Sequence, residues 1–207
     1  MINEMISADP SVSVSATSAD AIPARGVVPA GCRRLVLGSG QKKQDDAINV
    51  DLVPSTNPDI VHDLNNRPWP LPDNQFDECH AYDVIEHLDN IVATMEEIHR
   101  VCRNGAVVRI TVPHFSCGNA YTDPTHRHYF SCFSLNYFTG EHQFSYYSDC
   151  RFKRRANQIV FAQTLLNKLV HRLANRFPAE YERRWAWIFP AWFLYFELEV
   201  VKDAPAR

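Results

Sequence analysis

The most constraining feature of this 207-residue sequence is a series of short apolar runs, the first four of which end in glycine or an acidic residue. Runs with the composition of β-strands cover residues 33–37, 48–50, 59–62, 76–82 and 106–112. In chain order, the ends of the first four carry Gly38, Ser39, Gly40, Asp51, Asp63 and Asp83. Short strands separated by loops or helices are typical of an α/β protein with a largely parallel sheet.

The rest of the chain predicts one domain over residues 31–207, preceded by a flexible leader of residues 1–30 that is rich in Ser, Ala and Pro. Apolar residues at helical spacing predict a helix over residues 91–102, with Asp89 as its N-cap and Asn104-Gly105 as its stop. The remaining predicted elements are an extended segment or hairpin at 144–161, helices at 164–177 and 179–188, and a closing strand at 193–202.

The residues at the strand ends predict an adenosine site, because open α/β sheets bind ligands beyond the carboxyl ends of their strands. Glycine lets a ligand approach the backbone closely. A carboxylate after the second strand can accept hydrogen bonds from both ribose hydroxyls, and one after the third from an adenine amino group. A dinucleotide site needs G-x-G-x-x-G, but Lys43 stands at the third glycine position and Asp51 follows Gly40 by only 11 residues. No P-loop motif occurs.

Four segments together resemble the class I S-adenosylmethionine-dependent methyltransferases. They read LVLGSG, NVDL, DIVHDLNNRPWPLPDNQFDECHAYDVIEHL and EEIHRVCRNGAVVRITVPH, and the resemblance covers roughly residues 33–138. It is greatest to a small branch with a generic methyltransferase domain, found in many bacterial biosynthetic clusters. The resemblance implies a Rossmann-like α/β fold with a mostly parallel sheet, an antiparallel closing strand and helices on both faces.

The resemblance also implies that S-adenosylmethionine is the cofactor. The glycine turn would lie against its methionine part, Asp51 would bind the ribose, and Asp63 would lie near the adenine. The full set of cofactor residues implied in this way is Gly38, Ser39, Gly40, Asp51, Leu52, Asp63, Leu64, Tyr82 and Asp83. Two departures stand out: Lys42 replaces the last glycine of the usual G-x-G-x-G, and only residues 41–47 precede the second strand.

Candidates for catalysis lie after the fifth strand. His114 follows that strand, and Asp123 and His126 belong to the run 121–130, which in similar proteins lies over the active site. Methyl transfer to a hydroxyl or amine needs positioning and a proton acceptor, a role that suits histidine. We therefore predict His114, Asp123 and His126 as catalytic, and residues 114–190 as a lid or acceptor region.

Each of these candidates has an alternative interpretation. A loop histidine can be purely structural, and Asp123 can simply cap the turn before Pro124. Asp123, His126 and His128 could instead bind a metal, although we predict no metal site. His87, which follows Glu86, reads as a residue of a helix start or of packing.

The charge, the cysteines and the aromatic residues limit which partners and which cellular compartment we expect. The net charge of −3 argues against a specific nucleic-acid partner, although residues 151–207 hold 11 Lys and Arg against 5 Asp and Glu, which leaves an anionic acceptor open. Six cysteines without CxxC spacing and no secretory signal predict a cytoplasmic protein. No transmembrane segment is predicted, because the longest apolar stretch, residues 185–196, is too short to span a bilayer. The aromatic density at Trp185, Trp187, Phe189 and Trp192 favours core or lid packing, with an interfacial or homodimer patch as the alternative.

Together these observations predict S-adenosylmethionine-dependent methyl transfer to a small-molecule or saccharide acceptor. The alternative is a catalytically degenerate protein that binds the cofactor or serves as an interaction module, since the last glycine is missing and the first helix is nearly deleted. Tyr82-Asp83-Val84-Ile85 follows the fourth strand in place of an Asn-Pro-Pro-Tyr-type motif, which argues against adenine or glutamine nitrogen as the acceptor.

Overall fold

A seven-stranded sheet forms the centre of the protein. The computed structural model describes residues 31–140, 148–162 and 165–202, without the side chains of residues 165–167. The predicted leader, residues 1–30, lies outside them, as does the 144–147 part of the predicted extended segment. The strands are β1 (Arg34–Leu37), β2 (Ile48–Asp51), β3 (Ile60–Val61), β4 (Phe76–Tyr82), β5 (Cys102–Pro113), β6 (Arg151–Val160) and β7 (Phe193–Val201).

The strand order is β3-β2-β1-β4-β5-β7-β6. Strands β1 to β5 pair in parallel, whereas β7 is antiparallel to both β5 and β6. The predicted α/β fold with a mostly parallel sheet and an antiparallel closing strand is therefore confirmed. Because parallel strands point the same way, the glycine turn and the residues that follow β2, β3 and β4 all lie at one edge of the sheet.

The helices are α1 (Ile91–Val101), α2 (Asn119–Thr122), α3 (Leu165–Arg176) and α4 (Pro178–Glu180), and α4 continues into a π-helical turn, Tyr181–Trp185. Helix α1 buries Met95, Ile98 and Val101 at helical spacing. On β7, every second residue is buried, as period-two alternation requires of a strand with one covered face. No helix in the described part of the chain is long and apolar enough to cross a bilayer.

Two predictions about the limits of α1 are wrong. Its N-cap is Asn90, not Asp89, because the Asn90 side chain accepts a hydrogen bond from the Ala93 N–H. Its end is Val101, and Asn104-Gly105 lies inside β5 rather than at a helix stop. Gly105 has φ of 80° where the pairing of β4 with β5 shifts register, so it serves an irregularity in the strand.

The first of the two packing roles predicted for the tryptophans, a place in the core, is wrong. Trp185, Trp187 and Trp192 are 50%, 68% and 49% exposed. These rings therefore lie on the surface rather than in the core. Trp192 lies at the entrance to β7, beside the cleft described below.

Candidate functional site

The turn after β1 is held closely against the turn after β4. Gly38 has φ of 61°, and a Cβ added there would lie 2.6 Å from Val84 Cγ2. Only glycine fits this conformation and this contact without strain. Gly38 is therefore required by the approach of Val84, and it brings the predicted cofactor turn beside the residues that follow β4.

Asp51 connects the glycine turn to the end of β2. Its carboxylate accepts hydrogen bonds from the Gly40 N–H at 2.7 Å and from the Val53 N–H at 2.9 Å. A carboxylate offers about four acceptor positions, so this arrangement leaves capacity for ligand hydroxyls. Asp51 itself is 8% exposed, whereas the adjoining Leu52 is 61% exposed.

One buried polar atom in the glycine turn has no protein partner. Ser39 is 6% exposed, and its Oγ makes no hydrogen bond within the described residues. Buried hydroxyls normally have a partner. An orphaned hydroxyl in a turn whose next N–H binds the Asp51 carboxylate fits a site that takes a polar ligand.

The predicted residues at the ends of β3 and β4 differ in what they can offer. Asp63 accepts from the Asn65 N–H at 2.9 Å and so shapes its own turn. The Leu64 side chain is buried in the core, which leaves only its backbone to face a ligand. Tyr82 is 38% exposed. Asp83 has φ of 53° and receives the Thr111 hydroxyl at 3.2 Å, and such strained positions cluster at functional sites.

A cleft of about 810 Å³ opens at the same edge of the sheet. Asp83 from the end of β4, Pro113 from the end of β5 and Phe193 from the start of β7 line it. The remaining lining residues are Glu86, His87, Asn119, Thr122, Asp123, Pro124, His126 and Trp192. Asp83 thus lies in the cleft and next to the turn that meets Gly38, so the cleft adjoins the predicted cofactor residues.

Glu86 is the functional candidate that the sequence analysis missed. It is 1% exposed, and neither carboxylate oxygen has a hydrogen-bond partner in the described structure. Burial, together with the negative charges of Asp83 and Asp123, raises the pKa of Glu86 to about 8. The sequence does contain a sign of this: Glu86 lies between the apolar residues Ile85 and Leu88, and an acidic residue in an apolar segment is often buried for a functional reason.

The loop that carries His126 contacts the turn that carries Glu86. The Glu86 carbonyl accepts from the N–H groups of Arg127 and His128, which docks the loop onto the turn after β4. The rings of His87 and His126 lie 4.6 Å apart by their centroids. Ligand-capable atoms of Glu86, His87 and His126 all lie within 4.8 Å of one another. Burial and the neighbouring His126 lower the pKa of His87, which favours its neutral form.

Asp123 contacts Thr125, which in turn lies beside His87. Its Oδ1 accepts from the Thr125 N–H at 2.8 Å and from the Thr125 hydroxyl at 2.6 Å. The Thr125 Oγ1 also lies 2.8 Å from His87 Nδ1. Because these hydrogen bonds lower the pKa of Asp123, its carboxylate is a poor proton acceptor.

The structure argues against His114 as the catalytic base, although it follows β5 as predicted. His114 is 0% exposed. Its Nε2 lies 3.2 Å from Glu182, and its Nδ1 lies 2.8 Å from the Ser116 hydroxyl. Both ring nitrogens are therefore engaged, and the residue anchors the protein interior.

Comparison with known proteins agrees with this geometry. Residues 39–110 match the family described as "Methyltransferase domain". A search of curated proteins gave no match. The solved structure of an S-adenosylmethionine-dependent methyltransferase from Archaeoglobus fulgidus is similar, with a TM-score of 0.57 and 18% identity over 82% of this chain and 86% of the other.

Two further solved structures show the same fold. An S-adenosylmethionine-dependent methyltransferase from Mesorhizobium loti aligns with a TM-score of 0.53 and 14% identity, over 86% of this chain and 93% of the other. The [4+2]-cyclase SpnF aligns with a TM-score of 0.53 and 16% identity, over 86% of this chain and 78% of the other.

Proposed function

We propose that this chain, a class I S-adenosylmethionine-dependent methyltransferase by its matched domain and its fold, methylates a small-molecule or saccharide acceptor in the cleft beside Asp83. The observation that carries the proposal is the meeting of the glycine turn, Asp51 and the cleft at one edge of the sheet. When bound, S-adenosylmethionine supplies a methyl group whose carbon accepts a lone pair of the acceptor, while the electrons of the broken carbon–sulfur bond stay on sulfur.

Three features of the glycine-turn region support its role in holding the cofactor. Asp51 would accept the ribose hydroxyls, since its carboxylate keeps acceptor capacity beyond the bonds from Gly40 and Val53. The exposed Leu52 side chain would cover one face of the adenine. The orphaned Ser39 hydroxyl would bind a polar group of the ligand.

The lining of the cleft supports a small neutral or cationic acceptor. A volume of about 810 Å³ lies within the range of small-molecule sites. Trp192 and Phe193 offer flat apolar faces of the kind that pack against a sugar or another ring. Asp83 and Asp123 make the lining acidic, and neither Lys nor Arg lines the cleft in the part that the structure describes. This charge disfavours the anionic acceptor that the basic C-terminal segment left open.

A first prediction tests the cofactor site. Asp51→Ala should weaken the binding of S-adenosylhomocysteine by about 10- to 100-fold, because the ribose hydroxyls and the Gly40 N–H lose their acceptor. Leaving such a group unpaired costs about 1–3 kcal/mol. Calorimetric titration measures the change. Asp77→Ala is the matched control, since Asp77 pairs with Arg33 and Arg103 at the opposite end of β4. No binding to the wild-type chain would refute the proposed function.

A second prediction tests the handling of the acceptor's proton. His126→Ala should lower turnover by about 10²- to 10⁴-fold, the usual contribution of a positioned acid or base. Its affinity for S-adenosylhomocysteine should change less than about twofold. Release of S-adenosylhomocysteine during a screen of hydroxyl and amine acceptors is the readout, and an unchanged rate in His126→Ala would remove this residue from the reaction.

The same assays separate the second candidate function. The cyclase SpnF shares this fold, which shows that the fold alone does not determine the reaction. A chain that binds S-adenosylhomocysteine tightly but methylates no acceptor in the screen would favour a cofactor-binding protein without methyl transfer.

A further inference from the structure

We propose that Glu86, His87 and His126 bind a divalent cation of the first transition row, such as Mn²⁺ or Zn²⁺, in the cleft. The prediction of no metal site would then be wrong, and the ligands would differ from the alternative set of Asp123, His126 and His128. His126 would then be a ligand in place of a proton acceptor, and its loss would lower turnover through loss of the cation. The inference rests on the proposed function only for the acceptor that the cation would meet, because the cation site itself stands on the protein's own contacts.

The Glu86 carboxylate is the first observation that points to a cation. It lies in the cleft lining, it is 1% exposed, and both of its oxygens lack a partner among the described residues. A buried carboxylate without a hydrogen bond or a counter-charge is strongly unfavourable. A cation in the cleft would supply both a partner and a charge.

The two histidines are the second observation, because their hydrogen bonds determine their tautomers. His126 Nδ1 lies 3.0 Å from the Ala120 carbonyl oxygen, which can only accept, so Nδ1 carries the proton. The Thr125 hydroxyl donates to Asp123 and must therefore accept from His87 Nδ1. Both Nε2 atoms then hold a lone pair, as metal-ligating histidines require.

The spacing of the three groups suits one ion. Their ligand-capable atoms lie within 4.8 Å of one another. Atoms bound tetrahedrally to one ion at about 2.1 Å each lie about 3.4 Å apart, so a pair separated by 4.8 Å would close by about 1.4 Å to complete the site. The docking of the 123–130 loop onto the Glu86 carbonyl holds these groups in place.

The ligand set indicates the class of cation and its use. One carboxylate with two imidazoles favours first-row transition ions over Mg²⁺ or Ca²⁺, which prefer oxygen ligands. Three protein ligands leave coordination positions open to the cleft. A hydroxyl of the acceptor that occupies one of them would lose its proton to cleft water more readily, and its oxygen lone pair would then be available for the methyl carbon.

The test is calorimetric titration of the metal-depleted full chain with MnCl₂ and with ZnCl₂. We expect one ion per chain, and we expect Glu86→Gln and His126→Ala each to weaken binding by more than about 100-fold. Thr125→Val should weaken it by about 10- to 100-fold, because Thr125 positions His87. Thr125→Ser should restore it, because it keeps the hydroxyl. His171→Ala, on α3 and hydrogen-bonded to Asn175, is the matched histidine control and should bind like the wild type.

Every outcome decides the inference. Absence of stoichiometric binding by the wild-type chain would overturn it, as would unchanged binding by a folded Glu86→Gln or His126→Ala variant. Thermal unfolding shows whether each variant is folded. Because His126→Ala changes a residue of an exposed loop, this variant provides a test even if Glu86→Gln is unstable. Titration of the same chains with S-adenosylhomocysteine separates the two proposals. Cofactor binding without metal binding would refute only the cation site. Absence of cofactor binding by the wild-type chain would refute the proposed function.

Discussion

Glu182→Ala is expected to lower the free energy of unfolding by about 3–5 kcal/mol, the usual effect of removing one partner from a buried charged network. The Glu182 carboxylate accepts from the Cys132 N–H at 2.7 Å and from the Ser131 hydroxyl at 2.6 Å, and it lies 3.2 Å from His114 Nε2. Its side chain is 11% exposed and that of His114 is 0% exposed. Truncation leaves these groups buried and unpaired.

Urea unfolding measures this change, and Glu180→Ala is its control. Glu180 lies two residues earlier and pairs with Arg183 and Arg184 on the surface, where ion pairs contribute about 0–1 kcal/mol. The two variants should therefore differ in stability by several kcal/mol. Equal stabilities would mean that Glu182 does not join the segment after β5 to the π-helical turn.

The same network has a pH signature. Burial alone would raise the pKa of Glu182, but the hydrogen bonds from His114, Ser131 and Cys132 outweigh burial and hold this pKa below its ordinary value. A carboxyl with a depressed folded-state pKa stabilises the protein above its unfolded pKa of about 4.3, and the contribution is lost as pH falls through the folded-state value. The stability difference between wild type and Glu182→Gln should therefore be full near pH 7 and shrink below about pH 4.

Gly38→Ala should have the second largest effect, a loss of about 2–4 kcal/mol in the free energy of unfolding. The added Cβ would lie 2.6 Å from Val84 Cγ2 and 2.8 Å from Val84 Cβ, and φ of 61° disfavours any L side chain by about 1–2 kcal/mol. Gly40→Ala separates the steric cost from the cost of the positive φ, because Gly40 has φ of 51° and no atom within 4 Å of an added Cβ. It should lose only about 1–2 kcal/mol.

The double variant Gly38→Ala with Val84→Gly completes the test. Removing the Val84 side chain abolishes the steric conflict. Gly38→Ala should therefore cost less stability in the Val84→Gly background than in the wild-type background. Thermal unfolding of the four chains in this cycle gives the coupling. Absence of coupling would show that backbone conformation, and not the approach of Val84, makes glycine necessary at position 38.

The sequence was sufficient to predict the sheet and the residues at its edge. The limits of β1, β2 and β4 differ from the predicted runs by at most one residue, and their ends carry the predicted glycine and acids. Local apolar composition and the order of strand ends contain this information, because each strand is specified by its own residues. The start of β5 was harder, since its pairing with β4 begins at Cys102 and the strand continues through Asn104-Gly105, whose local preference is for a turn.

The site was harder to predict where it depends on contacts between distant segments. Glu182 meets His114 across 68 residues, and no pattern within either segment shows that pairing. Asp123 looked like a base from its loop, but Thr125 engages its carboxylate. Glu86 became a candidate only when its burial and its lack of a hydrogen-bond partner were known.

The bridge that Asp51 makes between Gly40 and Val53 has a kinetic consequence. Because one carboxylate already fixes the turns after β1 and β2, the cofactor in the proposed site would bind to turns that are already ordered. Little conformational entropy is then lost on association, and this part of the encounter should proceed without a slow rearrangement step.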